Sequence, residues 1–247
     1  MLRPFWQNLI KFNWVFGLVL VLLFGIPRFI IVLNANITGN YSRIAIIFIC
    51  MGLAPLVFLN KSGRNHIGMK KPASYSWLFF SFLLGAIICI LIYAVGMLLY
   101  NLSISNWFVY ISKSYTVSGI DLRGPNRLIY FLIYSFTAIT FSPIGEELFY
   151  RGLVHGGFAV DFGEQKASVL DSLAFALTHL AHFGIIYVSG SWRFLLIPGL
   201  LWVISMFIAS RIFFFCKEKT GSIWGAVISH AAFNLMMVYL IFYKIIE

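Results

Sequence analysis

Residues 77–100 read WLFFSFLLGAIICILIYAVGMLLY, with no Asp, Glu, Lys, Arg or His anywhere in the stretch. About 20 apolar residues cross the hydrocarbon of a bilayer as a helix. In lipid the backbone must satisfy its own polar groups, which leaves helices and closed barrels. A barrel needs short alternating strands, and this window is too long and too evenly apolar for one. It predicts a transmembrane helix. Outward from it the same character recurs at 14–33, 44–59, 128–154, 168–184, 194–215 and 221–243. The expected fold is all-α, a polytopic bundle of about seven helices forming one membrane domain over 1–247. Segment 101–127 is more polar, with Trp107, Phe108 and Tyr110, and reads as an outer loop holding an interfacial or re-entrant helix.

Composition agrees with that reading. Hydrophobic residues make up 61% and charged residues 11%, whereas a soluble domain is about half apolar and about a quarter charged. The net charge of +10 does not indicate nucleic acid, because the basic residues sit in short loops, where they set topology and meet anionic lipid. With the N-terminus inside, the cytoplasmic loops hold Arg3, Lys11, Lys61, Arg64, Lys70, Lys71, Arg151, Lys166, Arg211, Lys217 and Lys219. The outer loops hold Arg43, Lys113, Arg123, Arg127, Arg193 and Lys244, and Arg28 lies within the first span and enters neither group. The excess predicts a cytoplasmic N-terminus in a multi-pass protein of the plasma (inner) membrane. The first span has no small-residue cleavage site after it and reads as a retained helix. Cys50, Cys89 and Cys216 have no CxxC spacing and read as buried inert thiols.

Acidic residues are scarce enough to inspect singly. Asp121, Asp161, Glu164, Glu218 and Glu247 fall in loops or at the end, and Asp171 falls near a span boundary. Glu146 and Glu147 are adjacent inside the fourth span, where each carboxylate costs about 2.5–3.5 kcal/mol to insert. A helix end that has reached the headgroups is the bland explanation, but Leu148, Phe149 and Tyr150 continue the apolar run. Arg151 lies four residues after Glu147 and predicts an orienting ion pair with it. Glu146, turned ~100° away, is expected to be free for substrate or water. Pro143 and Gly145 weaken the helix before it and admit a neighbour.

Histidines join from two other spans. His179 lies one turn after Phe175; His230 and Asn234 share a helix face. A single intramembrane His is often only a helix–helix partner, and His155 and His182 are read that way. By the predicted boundaries, however, Glu146, His179 and His230 all lie ~12–17 Å from the cytoplasmic edge. A carboxylate and a His can activate water, and a second His and an Asn can donate to an oxyanion. The same Glu146, His179 and His230 are candidates for a divalent metal, most naturally zinc.

The motifs Glu146-Glu147-x-x-x-Arg151, Phe175-x-x-x-His179 and His230-x-x-x-Asn234, in this order on separate helices, with SPIG before the glutamates and GSIWGA before His230, resemble the CPBP family. These are the CAAX-processing and bacteriocin-processing intramembrane proteases, also called type II CAAX endopeptidases or Abi proteins. The resemblance covers about 125–240. It implies that Glu146 and His179 activate the attacking water, that His230 and Asn234 form the oxyanion pocket, and that Glu147 and Arg151 support them. It leaves open a metalloprotease or a metal-free, glutamate-activated mechanism. It also implies about eight helices, the extra one within 101–127. The expected activity is hydrolysis of a membrane-associated or lipidated peptide near the cytoplasmic face, with the bilayer itself as the other partner. A non-catalytic immunity or scaffold protein that binds a membrane-active peptide is the alternative, and an ion-coupled transporter, which normally shows repeat symmetry, is a third.

Overall fold

The computed structural model describes residues 1–115 and 121–246. A short α1 (Pro4–Gln7) leads into α2 (Trp14–Thr38), α3 (Ser42–Phe58), the short α4 (Lys61–His66), α5 (Ser76–Tyr100) and the short α6 (Trp107–Ser112). Then come α7 (Arg127–Glu147), a π-helical stretch (Leu148–Val154) and α8 (His155–Thr178), followed by β1 (Ile185–Val188), β2 (Ser191–Phe194), α9 (Leu196–Thr220) and α10 (Ile223–Leu240). It is an all-α bundle, and each of the seven predicted spans coincides with a helical segment. Residues 127–181 run as one long helical stretch broken at Gly163, whose φ of +74° and extended ψ turn the chain. The second span, Ser42–Phe58, is apolar but has only 17 residues.

Helix ends follow local chemistry. Asn13, Asn60, Asn106 and Ser222 accept hydrogen bonds from first-turn N–H groups of α2, α4, α6 and α10, which satisfies donors that would otherwise be orphaned. Between spans the contacts rely on small residues, as expected where lipid removes the hydrophobic drive for helix association. A Cβ on Gly85 would lie 1.9 Å from the Ser229 carbonyl oxygen, so α5 meets α10 backbone to backbone. The central element is α10, packed against α5, α7 and α9. Helix α7 lies between α3 and α10, and α8 between α2 and α9.

The loops meet one expectation and correct another. Segment 101–127 holds, among the described residues, the expected short helix, Trp107–Ser112. Its Trp107 is buried against Tyr100, Phe183 and Trp202, so it plugs the bundle end. A helical reading throughout misses the β1–β2 hairpin, whose register pairs Ile185 with Phe194 and Tyr187 with Trp192. Its two-residue turn places Ser189 and Gly190 at positive φ, the backbone a tight hairpin requires.

Candidate active site

Glu146 and Glu147 are delivered by the last turn of α7. Pro143 donates no backbone hydrogen bond there. Gly145 lets the α3 backbone approach so closely that a Cβ would sit 2.3 Å from the Phe48 carbonyl oxygen. The expected opening before the glutamates is thus filled by α3. Both carboxylates are fully buried.

The structure brings the motif residues together. His230 stands between the two glutamates: its Nδ1 is 2.8 Å from Glu147 Oε1 and its Nε2 is 3.6 Å from Glu146 Oε2. A carboxylate accepts, so Nδ1–H donates to Glu147. The contact at Nε2 is a charge contact, longer than a hydrogen bond. Phe213 stacks on the ring at 4.8 Å and 11°, which restrains its tilt. On the other side, His179 Nδ1–H donates to the Phe175 carbonyl at 2.7 Å. That contact sets the tautomer, because a carbonyl cannot donate, and it leaves the lone pair on Nε2. The Asn234 amide donates to the Ala138 carbonyl at 2.9 Å with one of its two N–H groups.

One side chain in the cluster has no place in the motifs. Arg28 of α2, only 2% exposed, puts Nη2 at 2.5 Å from Glu146 Oε1 and 3.4 Å from His179 Nε2, while Nη1 donates to the Thr178 hydroxyl at 2.5 Å. The Glu146 contact is a charge contact rather than an aligned hydrogen bond. Ser142 donates to Glu146 Oε2 at 2.9 Å. The expectation that Glu146 is free is therefore corrected: its oxygens face Arg28, Ser142 and His230. The signal that finds Arg28 is the one that singled out the glutamates, a charge inside an apolar span.

Glu147 belongs to a second cluster. Arg151 Nε lies 3.1 Å from Glu147 Oε2 and 4.0 Å from Asp171 Oδ1, and its Nη2 donates to Ser210 at 2.6 Å. The predicted Glu147–Arg151 pair is present. Asp171, read as a boundary residue, is fully buried and lies 2.7 Å from His155 Nδ1. His155 Nε2 in turn meets Glu164 at 2.7 Å. His155 is thus a packing residue of this cluster, away from the cavity.

A cavity of about 330 Å³ lies above the first cluster, with Arg28, Ser142, His179, His182, His230 and Asn234 among otherwise mostly apolar walls. His182, set aside in the sequence, faces it beside His179, their ring centroids 5.5 Å apart. The lining runs to the bundle end that carries Tyr41, Ile111 and Tyr115 and takes nothing from 59–76, 155–168 or 217–224. A cytoplasmic opening and a cytoplasmic N-terminus therefore exclude each other in this fold.

Zinc does not fit these donors. Zinc binds His nitrogen at about 2.0–2.1 Å, and at His179 Nε2 and Glu146 Oε1 that position is held by a guanidinium carrying its own positive charge. Among the described residues no three His, Cys, Asp or Glu side chains form a group able to hold a metal.

Residues 128–236 match the family model described as Type II CAAX prenyl endopeptidase Rce1-like. The match spans all seven motif residues and bears out the resemblance to the CPBP family of CAAX proteases. The segment is similar to a CAAX-protease-type domain and lies in an integral, multi-pass membrane protein. No curated protein and no solved structure matches the chain.

Proposed function

We propose that the protein is an intramembrane endopeptidase that hydrolyses a peptide bond of a membrane-associated, lipidated peptide with a water activated by Glu146. The observation that carries this reading is one largely apolar cavity lined by two imidazoles, Arg28 and a carboxamide, with the buried Glu146 carboxylate directly behind Arg28 and His230. Apolar walls suit a lipid chain and the adjoining residues. A dry site strengthens the charge interactions that hydrolysis needs.

In this reading Glu146 takes the proton of the attacking water and His179, with its lone pair on Nε2, assists. Glu146 passes that proton to His230 Nε2, and the resulting Nε2–H and the second Asn234 N–H donate to the oxyanion as the tetrahedral intermediate forms. The same proton then passes to the leaving amine, which completes the exchange of peptide bond for carboxyl and amine. Glu147 acts through His230, fixing its tautomer by accepting from Nδ1, and Arg151 holds Glu147. All the residues of this scheme come from the chain itself.

A scaffold that only binds a membrane-active peptide has no physical need for paired glutamates in lipid, each costing about 2.5–3.5 kcal/mol. The deciding experiment presents purified protein in liposomes with a prenylated CAAX peptide and, separately, with the unlipidated peptide. Cleavage of the lipidated peptide is expected; tight binding with no cleavage identifies a scaffold. The face served is read in the same liposomes by labelling single cysteines at Asn40, near the cavity mouth, and Lys71, at the opposite end, with an impermeant maleimide. Cytoplasmic access requires position 40 inside and the N-terminus outside. An N-inside chain takes its substrate from the outer face.

A further inference from the structure

We propose that Arg28 is a positioning residue of the hydrolytic site, holding Glu146 and His179 in register with a single guanidinium delivered by α2. The inference rests on the endopeptidase reading above and assigns a function to a part of the chain outside the matched segment 128–236.

Three observations carry it. First, the contacts converge: Nη2 faces both Glu146 Oε1 and His179 Nε2, and Nη1 is anchored by Thr178, the residue preceding His179. Carboxylate, guanidinium and imidazole therefore move as one unit across α7, α2 and α8. Second, each glutamate has its own arginine. Glu147 is served by Arg151 of the same helix, and Glu146 has no such partner within α7, so its counter-charge must come from elsewhere. Third, the guanidinium faces the cavity although it sits within a span. A lipid-facing Arg near a helix end relieves its cost by snorkelling to the interface. Arg28 is instead committed to the site, with Phe48 beneath its plane at 5.5 Å. Lysine can replace it only in part, because one ammonium keeps the charge but lacks the planar fork that meets Thr178 and Glu146 at once.

The test measures kcat and KM on the membrane-anchored lipidated peptide for wild type, Arg28→Ala and Arg28→Lys, with folding checked by gel filtration and thermal unfolding. Arg28→Ala should lower kcat by about 10²–10³-fold, the size seen when one preorganised donor is removed, with KM little changed. Arg28→Lys should fall between the two, and millimolar guanidinium should restore part of the Arg28→Ala turnover by entering the cavity. A folded Arg28→Ala with wild-type kcat overturns the proposal. So does a folded, inactive Arg28→Ala that neither lysine nor guanidinium recovers, since that is the pattern of a structural role. If Arg28→Ala does not fold, Thr178→Val removes the anchor of Nη1 together with the hydroxyl's own hydrogen bond to the Phe175 carbonyl, and it should lower kcat several-fold at constant KM; unchanged kcat there overturns the proposal. Wild-type protein without turnover overturns the endopeptidase reading and this role with it, whereas active wild type beside an equally active Arg28→Ala overturns this role alone.

Discussion

Glu146 and Glu147 are neighbours in the chain, yet they head two different clusters. Glu146 lies under the cavity, its oxygens shared by Arg28, Ser142 and His230. Glu147 leads away from it into a closed set of Arg151, Asp171 and His155 that ends at Glu164 on the surface. A turn of ~100° between successive helical residues is enough to give one carboxylate to chemistry and the other to structure. His230 is in direct contact with both, and its two ring nitrogens divide the work.

Substitutions can break that division or sharpen it. The largest effect belongs to Glu146→Gln, which keeps the size but removes the base: turnover of the lipidated peptide should fall by about 10²–10⁴-fold. Wild-type rates in this variant rule out water activation by Glu146. Glu147→Gln should act first on stability, because leaving Arg151 buried without its carboxylate costs about 3–5 kcal/mol. Thermal unfolding in detergent reads that loss directly, and a Glu147→Gln protein that unfolds at the wild-type temperature removes the structural half of the comparison.

Asn234 sharpens the catalytic half. Asn234→Ala should slow turnover by about 10²–10³-fold, or ~2.7–4 kcal/mol in the transition state, with peptide affinity little altered. Asn234→Asp should do at least as badly, since it sets negative charge where negative charge develops. Intact turnover in Asn234→Asp would falsify the oxyanion pocket. The smallest effect lies at the far end of the Glu147 cluster. The Glu164 side chain is 65% exposed, so water screens its contact with His155, and Glu164→Gln should change stability by about 1 kcal/mol or less. A larger loss would show that the closed cluster continues to the surface as one unit.

The motif half of the site was legible because its residues violate the local composition. A pair of glutamates, two histidines and an asparagine stand out in helices that are otherwise apolar, and helical periodicity tells which of them share a face. The i to i+4 relation alone predicted the Glu147–Arg151 pair. Arg28 violates composition just as plainly, but it stands alone in its span with no partner at helical spacing. Its partners, Glu146, Thr178 and His179, lie far downstream and meet it only when α2 packs against α8. Asp171 was hidden for a related reason: a charge near a span boundary looks solvated until the kink at Gly163 and the fold around Arg151 bury it.

Sequence by itself determined the membrane class and the seven apolar segments and singled out six candidate site residues, because insertion cost and helix periodicity act within a span. Only the tertiary structure decided which glutamate pairs with Arg28 behind the cavity, that Arg28 occupies the position a metal ion would need, and which end of the bundle the cavity lining reaches. Those depend on contacts between helices distant in the chain, and no local pattern encodes the distance between a guanidinium on α2 and a carboxylate on α7.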